Sequence, residues 1–512
     1  MPMIHSTFRT AIASLGGGAA LICAPVAQAT DYITLQGVEP SQISHRILGD
    51  IGLTYMYNDC DGLAGVAAPN GTPTGNPNAG YGLNNGLQRN PCRVGPKFAD
   101  DNDGFVVSPL NIRARGHLIQ DKINYFVALE AGQNALNYQR FNSDRKHVAS
   151  LGQASLTFNY VPGARIRVGL MKIPGPEEML QGIEAADYAS PTDFINRQMN
   201  ELFIKGNARS YAPIAGQGYL GNISDSGYDQ STGRDWGVQV FDAFKQGPWT
   251  HTYAVMLGNG NGLHHAYTGN HGRPDVNLYW SSEHDLSGYE PEYLRDLSQN
   301  PLKDGVKFYG WYQNGVRNFE IDAAGTESED FTRERYGIGF KALGYLFGEN
   351  RGKHRLAMEL MQARGMVLLG QSGSVDDPNW AGASGIAAVQ MGAGSGNKAR
   401  GMTFDYGYYF NPKWSIGYRY SRADTMYEVE APFLASDQRN RVNQDVAVSW
   451  RFNPRTRLTL GYTYRDWWAP NAVQPTAASA AAINNAAVQT NNAKIYTSGV
   501  GDRITLRLNH RF

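Results

Sequence analysis

Basic residues recur at every second position along this chain. Arg113, Arg115 and His117 form one such set, and Arg165 and Arg167 another. Arg333 and Arg335 with Lys341, Arg439 and Arg441 with Arg451, and Arg457 with Arg465 continue it. Arg355 and Arg419 stand alone, and Arg503, Arg507 and Arg511 close the series. A period of two places side chains on one side of an extended backbone. Guanidinium groups aligned in this way attract anions, and each can meet a carboxylate or phosphate with paired N–H donors. Lining an enclosed wet space, such a face would concentrate anions and repel cations. Acids at matching positions are few, the clear ones being Glu130, Glu359, Asp405 and Asp445. The chain carries 46 Lys+Arg and 46 Asp+Glu, so most acids are expected in loops, such as Asp100, Asp101, Asp103, Glu327, Glu329 and Asp330. The plainer alternative is that inward arginines pair with loop acids folded between them, or line a solvated wall.

Other chemistry is poorly supported. His264, His265 and His271 lie in a Gly/Asn-rich stretch without a matched carboxylate spacing, so no metal site is expected. Asp101-Asn102-Asp103-Gly104 is a fragment of a calcium loop with incomplete ligand spacing. Gly206 to Gly221 contains no phosphate-cradling pattern, and no Cys-x-x-Cys-His haem site is present. No Ser/His or Asp/His set stands out, so the chain is not expected to be an enzyme or to need a cofactor. A net charge of zero argues against a nucleic-acid partner.

The elements that would position the arginines are strands. Ile504, Leu506, Leu508, His510 and Phe512 share one face of the C-terminal stretch, opposite Arg503, Thr505, Arg507, Asn509 and Arg511. The apolar face suits lipid and the polar face a wet lumen. Sixteen segments read this way: 46–57, 105–117, 122–132, 148–160, 164–172, 234–244, 249–258, 304–313, 315–323, 331–347, 353–364, 399–410, 413–423, 438–452, 455–468 and 499–512. Short turns such as Val161-Pro162-Gly163, Gln313-Asn314-Gly315 and Asn453-Pro454-Arg455 alternate with long segments, among them 58–104, 173–233, 259–302, 365–398 and 469–498. An even strand number with short turns at one end and long loops at the other is the layout of a transmembrane antiparallel β-barrel of the Gram-negative outer membrane. If Asn314-Gly315 were only a bend, the count would drop to fifteen.

Residues 1–29 read as a signal peptide: His5 and Arg9, then a small-residue apolar stretch from Ala11 to Ala24, then Ala27-Gln28-Ala29 for cleavage. Residues 30–512 would then form the barrel, embedded in outer-membrane lipid. The remaining cysteines, Cys60 and Cys92, are expected to form a disulfide across the first long loop. The strand ending in Phe512 resembles the assembly signal of bacterial outer-membrane barrels, which makes the barrel-assembly machinery an expected partner.

Residues 151–178 carry a more specific signal. Ala154 to Phe158, the Pro162-Gly163 turn, Arg167-Val168-Gly169, then Lys172, Pro174 and Glu178 follow one another, with Asn111 to Gly116 upstream. This arrangement resembles the phosphate-selective porin O and P family over roughly residues 105–180. The resemblance implies a sixteen-stranded, usually homotrimeric channel for passive diffusion of small hydrophilic solutes, with small anions or carboxylates preferred. It also implies that the third loop, 173–233, folds into the lumen, with Lys172, Arg197, Lys205 and Arg209 as basic candidates at the constriction. Asp187, Asp193 and Glu201 in the same loop would oppose an anion preference there. The expected anion track is Arg113, Arg115, Arg165, Arg167, Arg419, Arg441, Arg457, Arg465, Arg503, Arg507 and Arg511. The rival reading is a structural barrel, an adhesin or scaffold, without channel selectivity.

Overall fold

The computed structural model describes residue 33 and residues 45–59, 103–131, 149–181, 186–188, 190–195, 202–204, 219–220, 228–230, 233–260, 273–286, 304–320, 328–345, 352–364, 367–369, 389–391, 398–426, 439–453, 455–468, 478–480, 483 and 501–512. Sixteen strands pair edge to edge into a closed antiparallel barrel. In order they are β1 His45–Asn58, β2 Asp103–Ile119, β3 Ile123–Ala131, β4 Ala149–Phe158, β5 Arg165–Lys172, β6 Arg234–Gln246, β7 Trp249–Gly258 and β8 Asp275–Asp285. The second half is β9 Gly305–Glu320, β10 Ser328–Gly344, β11 Lys353–Arg364, β12 Lys398–Tyr409, β13 Trp414–Met426, β14 Arg439–Asn453, β15 Thr456–Trp468 and β16 Arg503–Arg511. Short strand pairings outside the barrel join Leu202–Ile204 to Tyr228–Gln230, and Val389–Met391 to both Val367–Leu369 and Tyr219–Leu220.

Closure joins β1 to β16, with Asp50 opposite Arg511 and Asn58 opposite Arg503. Gly49 and Phe512 exchange both backbone bonds at 2.9 Å. The Phe512 ring lies where a side chain on Gly49 would stand, so glycine is what admits the terminal aromatic. Closure leaves no unpaired strand edge, which is what allows a sheet to cross a bilayer.

Alternation sets inside from outside. Ile504, Leu506 and Leu508 are 44%, 41% and 40% exposed, whereas Thr505 and Arg507 between them are 4% and 2% exposed. The same holds on β15, where Leu460, Tyr462 and Tyr464 face out and Arg457, Thr459 and Thr463 face in. Aromatics gather outside near the short-turn ends: Trp414 stacks on Trp450 at 5.6 Å, and Tyr408 meets Phe410 at 4.7 Å. Tight turns at that end use Gly163 and Gly247 at positive φ, with nothing near a substituent there, so conformation rather than crowding selects glycine.

The strand number agrees with the sequence reading, but two opposite errors produce the agreement. Residues 275–285, read as part of the long segment 259–302, form β8. Asp275, Asn277, Tyr279, Ser281 and Glu283 are buried inside, while Leu278 and Trp280 are exposed outside. One face of a lumen strand needs no apolar residue, so this strand resembles a loop in composition. Conversely, 304–313 and 315–323 belong to one strand, β9. Asn314 and Gly315 sit mid-strand opposite Glu334 and Arg333. Gly315 is there because a side chain would run into the Asp275 carboxylate, which Arg333 holds at 2.5 Å. The turn-like dipeptide therefore marks a close approach. As a result, the connection 286–304 lies on the short-turn side.

Candidate functional site

The functional interest is inside the barrel, where part of the segment after β5 fills the lumen. β5 ends at Lys172, and Ile173 still pairs with Gly233 at the start of β6, through a bond of 2.8 Å. Pro174, Gly175 and Pro176 then turn the chain inward, and Gln313 on β9 donates to the Pro174 carbonyl at 2.8 Å. A single helical turn follows, α1 Glu177–Leu180. The Lys172 ammonium caps its C-terminal carbonyls, at 3.2 Å to Met179, 2.7 Å to Leu180 and 3.2 Å to Gln181. Lys172 is thus a cap for the inward segment.

The segment has an apolar side and a charged side. Met179, Leu180, Phe194 and Ile195 pack in one buried cluster with Met171, Phe241, Met256, Tyr279, Trp311, Met361 and Ala423. Phe194 lies over Gly401 on β12, where a side chain would collide with the ring. Ile33, ahead of the first strand, is buried in the same cluster, and its carbonyl accepts from Arg167 at 3.3 Å.

The segment's carboxylates meet the basic wall. Glu177, only 1% exposed, accepts from Lys307 at 2.8 Å, Lys341 at 2.9 Å and Tyr279 at 2.5 Å. Burial alone would raise its carboxyl; the two ammonium charges and the bonds from Lys307 and Tyr279 outweigh that and hold it down to about 2. Glu178 accepts from Arg419 at 2.8 Å and from the Thr192 hydroxyl at 2.6 Å. There burial wins, and the carboxyl is pushed up against the pull of Arg419 and Thr192. Asp187 is bridged by Arg355 and Arg457, the latter at 2.8 Å. Burial opposes ionisation there, but Arg355, Arg457 and Arg451 overcome it and lower the group below the usual carboxylate range.

The backbone is held as well. The Ala186 carbonyl accepts from Arg457 and from Arg507, each at 2.6 Å, and the Ser190 carbonyl from Arg419 at 2.9 Å. Tyr188 donates to Asp405 at 2.9 Å, and Arg419 lies 4.2 Å over its ring. Burial first, and then the Asp405 charge, push this phenol well up. Asn443 donates to Asp193 at 2.7 Å, with Arg441 at 3.8 Å. Each strand from β9 to β16 therefore supplies at least one contact to the inward segment.

The arginines of the expected track divide into two groups. Arg419, Arg441, Arg457 and Arg507 are sealed against the inward segment or its neighbours. Arg419 also pairs with Asp445 at 2.9 Å, and Arg441 stacks 4.5 Å from Trp467. Arg165 pairs with Asp242 at 2.7 Å, while Arg167 is buried over Phe241 at 4.2 Å and bonds Gln239 at 3.1 Å. Arg115 is buried at 9% exposure. The second group is half-buried: Arg113 and Arg511, which share Asp50 with side chains 23% and 29% exposed, and Arg465 and Arg503. Arg503 makes no hydrogen bond or ion pair among the described residues; Arg465 lies 5.3 Å over Trp467. All four come from β15, β16 and β2, with β1 lying between β16 and β2.

The expectation of few inward acids is corrected. Beside Glu130, which pairs with Arg234, the lumen wall carries Asp50, Asp275 and Glu283, and the inward segment adds Glu177, Glu178, Asp187 and Asp193. Asp50 was legible, since it has the opposite parity to Ile47 and Ile51, and so was Lys307, opposite in parity to Phe308 within 304–313; Asp275 was hidden with β8. Arg197, Lys205, Arg209, Glu201, Cys60, Cys92, the three loop histidines and residues 1–29 lie outside the described residues. Among the described residues, no group of three or more His, Cys, Asp or Glu is placed to hold a metal ion.

No family model matches the chain, and no curated protein does. Solved structures do. OmpF of Salmonella typhi in complex with daunomycin is 11% identical with a TM-score of 0.44, covering 92% of this chain and 98% of that one. An anion-selective porin from Comamonas acidovorans is 10% identical with a TM-score of 0.42, covering 92% and 100%. The outer-membrane channel DcaP of Acinetobacter baumannii is 9% identical with a TM-score of 0.43, covering 93% and 99%. At these scores the likeness carries no argument about what this chain does; the barrel stands on its own strand pairing.

Proposed function

We propose that the chain is an outer-membrane channel through which small hydrophilic solutes diffuse, with anions preferred. The observation that carries this reading is the division of the inward arginines. A sixteen-stranded barrel is wide enough to enclose an aqueous path beyond what side chains fill. The inward segment packs its apolar side on a cluster that includes Met171, Phe241, Met256 and Tyr279 and its charged side on β9 to β16, where its ion pairs cancel much of the wall's charge. Arg113, Arg465, Arg503 and Arg511 are half-buried and lie on β2, β15 and β16, around the closing seam at β1. A solute passing there meets Arg465 and Arg503, and Arg113 and Arg511, whose two charges share the single carboxylate of Asp50. The outward apolar face and the aromatic belt near the turns fit a lipid bilayer. A homotrimer, export by residues 1–29 and assembly through the strand ending at Phe512 belong to the same reading.

The test is the reversal potential across a KCl gradient in planar bilayers, for wild type and Arg465→Ala/Arg503→Ala. At about 7 Å in water one charge is worth roughly 0.6 kcal/mol before screening, or about threefold in local anion concentration. The wild type should prefer chloride, and the double variant should lose most of that preference while still conducting. Cation preference in the wild type, or a double variant of unchanged selectivity, refutes the assignment; absence of conductance refutes the channel.

A further inference from the structure

The outward face of the barrel is apolar almost to the long-loop ends on one side. Phe105, Leu129, Leu151, Val238, Leu257 and Leu278 are all exposed there. One sector departs from this pattern. On three adjoining strands, Arg364 of β11, Arg400 of β12 and Arg422 of β13 occupy outward positions near the same ends. The register places Gln362 opposite Arg400, Arg400 opposite Asp424, and Met402 opposite Arg422, so the three arginines form one patch. The Arg364 and Arg422 side chains are 41% and 46% exposed, and Arg400 is exposed too.

The patch contains two carboxylates. Arg422 donates to Asp424 at 2.9 and 3.0 Å, and Arg364 lies 3.8 Å from Glu334, which also accepts from Tyr312 at 3.0 Å. Arg400 makes no hydrogen bond or ion pair among the described residues. Three guanidinium groups against two carboxylates leave a positive excess over β11 to β13; the exposed Asp466 of β15 stands at the same level beyond Val442.

Position gives this excess its meaning. Charged side chains facing lipid are costly at the bilayer midplane and tolerable only near its edges. From Trp414 to Arg422, at about 3.3 Å per residue and a tilt of roughly 40°, β13 rises about 20 Å, close to the height of a ~25 Å apolar band. Ile416, Tyr418 and Tyr420 fill the outward positions between them. The arginines therefore stand where acyl chains give way to headgroups.

We infer that this patch binds the phosphorylated headgroup of a lipid in the outer leaflet, its acyl chains lying on Leu360, Met402, Phe404 and Tyr420 below. Guanidinium groups meet phosphate with paired donors, and the apolar surface directly beneath suits one amphiphile better than a soluble anion. The inference rests on the outer-membrane reading, because that reading turns the long-loop end toward the outer leaflet.

The experiment uses the full-length folded protein in detergent, with native mass spectrometry counting bound lipid. The probes are diphosphorylated lipid A and its dephosphorylated form, each added to wild type, Arg364→Gln/Arg400→Gln/Arg422→Gln and Arg400→Glu. The single variant changes a side chain bonded to no described neighbour and so guards against misfolding of the triple variant. Wild type should retain the diphosphorylated lipid at least tenfold more than the dephosphorylated one, and both variants should lose that margin. Equal retention of both lipids, undiminished retention by the variants, or inorganic phosphate alone displacing the lipid would overturn the inference. The same preparations are assayed for conductance, which should be unchanged in the variants. A wild type that conducts without phosphate-dependent lipid retention overturns this inference and leaves the channel reading standing; one that fails to conduct overturns the channel reading alone.

Discussion

Glu177 fastens the inward segment to β8, β9 and β10, and Glu177→Gln tests it. The carboxylate is buried and is met by Lys307, Lys341 and Tyr279. Its folded value is held at about 2 against an ordinary 4.5. At 1.36 kcal/mol per unit, ionisation of this group favours the docked segment by about 3 kcal/mol. The folded value is depressed, so the contribution is complete above the ordinary value and disappears as pH falls from about 4.5 to about 2. Asp187 is depressed as well and acts in the same direction. Glu178 is raised and acts in the opposite one, since proton uptake favours its docked form.

Gln keeps the shape but leaves two ammonium groups facing a neutral amide, and breaking a buried pair from one side costs roughly 3–5 kcal/mol. Pepsin, with cleavage at each pH taken relative to an unfolded substrate, reports release of the segment in the folded barrel. In wild type, cleavage within 173–195 should rise steeply as pH falls through this window. In Glu177→Gln it should already be high at pH 5 and nearly flat below, and single-channel recordings at neutral pH should show a noisier open state. A variant as resistant as wild type at pH 5, or a wild type whose cleavage does not change across the window, would refute the fastening.

Three further outcomes follow from other contacts. Asp187→Asn removes the charge between Arg355 and Arg457, so the reversal potential should move toward stronger anion preference, by roughly the threefold worked for one charge at about 7 Å. Phe512→Ala uncovers Gly49 at the closing seam; with the ring already 54% exposed, the loss should be about 1 kcal/mol, read as a lower yield of heat-resistant barrel on gels. The Cys60–Cys92 disulfide proposed from the sequence should leave no alkylatable thiol before reduction and two afterwards in the exported protein; closing about thirty residues is worth roughly 3–4 kcal/mol to the order of that loop.

The strands were legible wherever both faces carried a signal. On β16, Ile504, Leu506 and Leu508 face lipid and Arg503, Arg507 and Asn509 face inward, so the pattern shows on each side. β8 shows it on one side only, through Val276, Leu278 and Trp280, and Asn, Ser and Asp on the other side read as a loop. Asn314-Gly315 has the composition of a hairpin turn, but its glycine answers to Asp275 across the sheet, a contact that sequence spacing does not contain. The wall arginines could be named in advance because parity alone assigns them. Their partners could not, because the described residues between 173 and 195 enter the lumen without a repeating period, and nothing local says that Glu177 reaches Lys307 or that Asp187 reaches Arg457. The capping role of Lys172 was hidden for the same reason, since it depends on the chain turning back over it.

An arginine facing the lumen is therefore not by itself a determinant of selectivity. The field that a passing ion feels depends on the countercharge within a few ångströms and on how much water screens the pair. Arg457 beside Asp187 and Arg419 between Glu178 and Asp445 approach neutral units whose main work is to hold the inward segment. Arg503 makes no hydrogen bond or ion pair among the described residues, though the Asp445 and Asp193 charges act on it, and Arg113 and Arg511 share a single carboxylate, Asp50. A chain with equal numbers of acids and bases can then keep a positive path. Its acids are used to seat a plug of polypeptide on one wall, and the surplus of that pairing appears on the other wall. On this account, selectivity should respond sharply to a few half-buried arginines, whereas the sealed ones should change noise and pH response before they change the sign of the current.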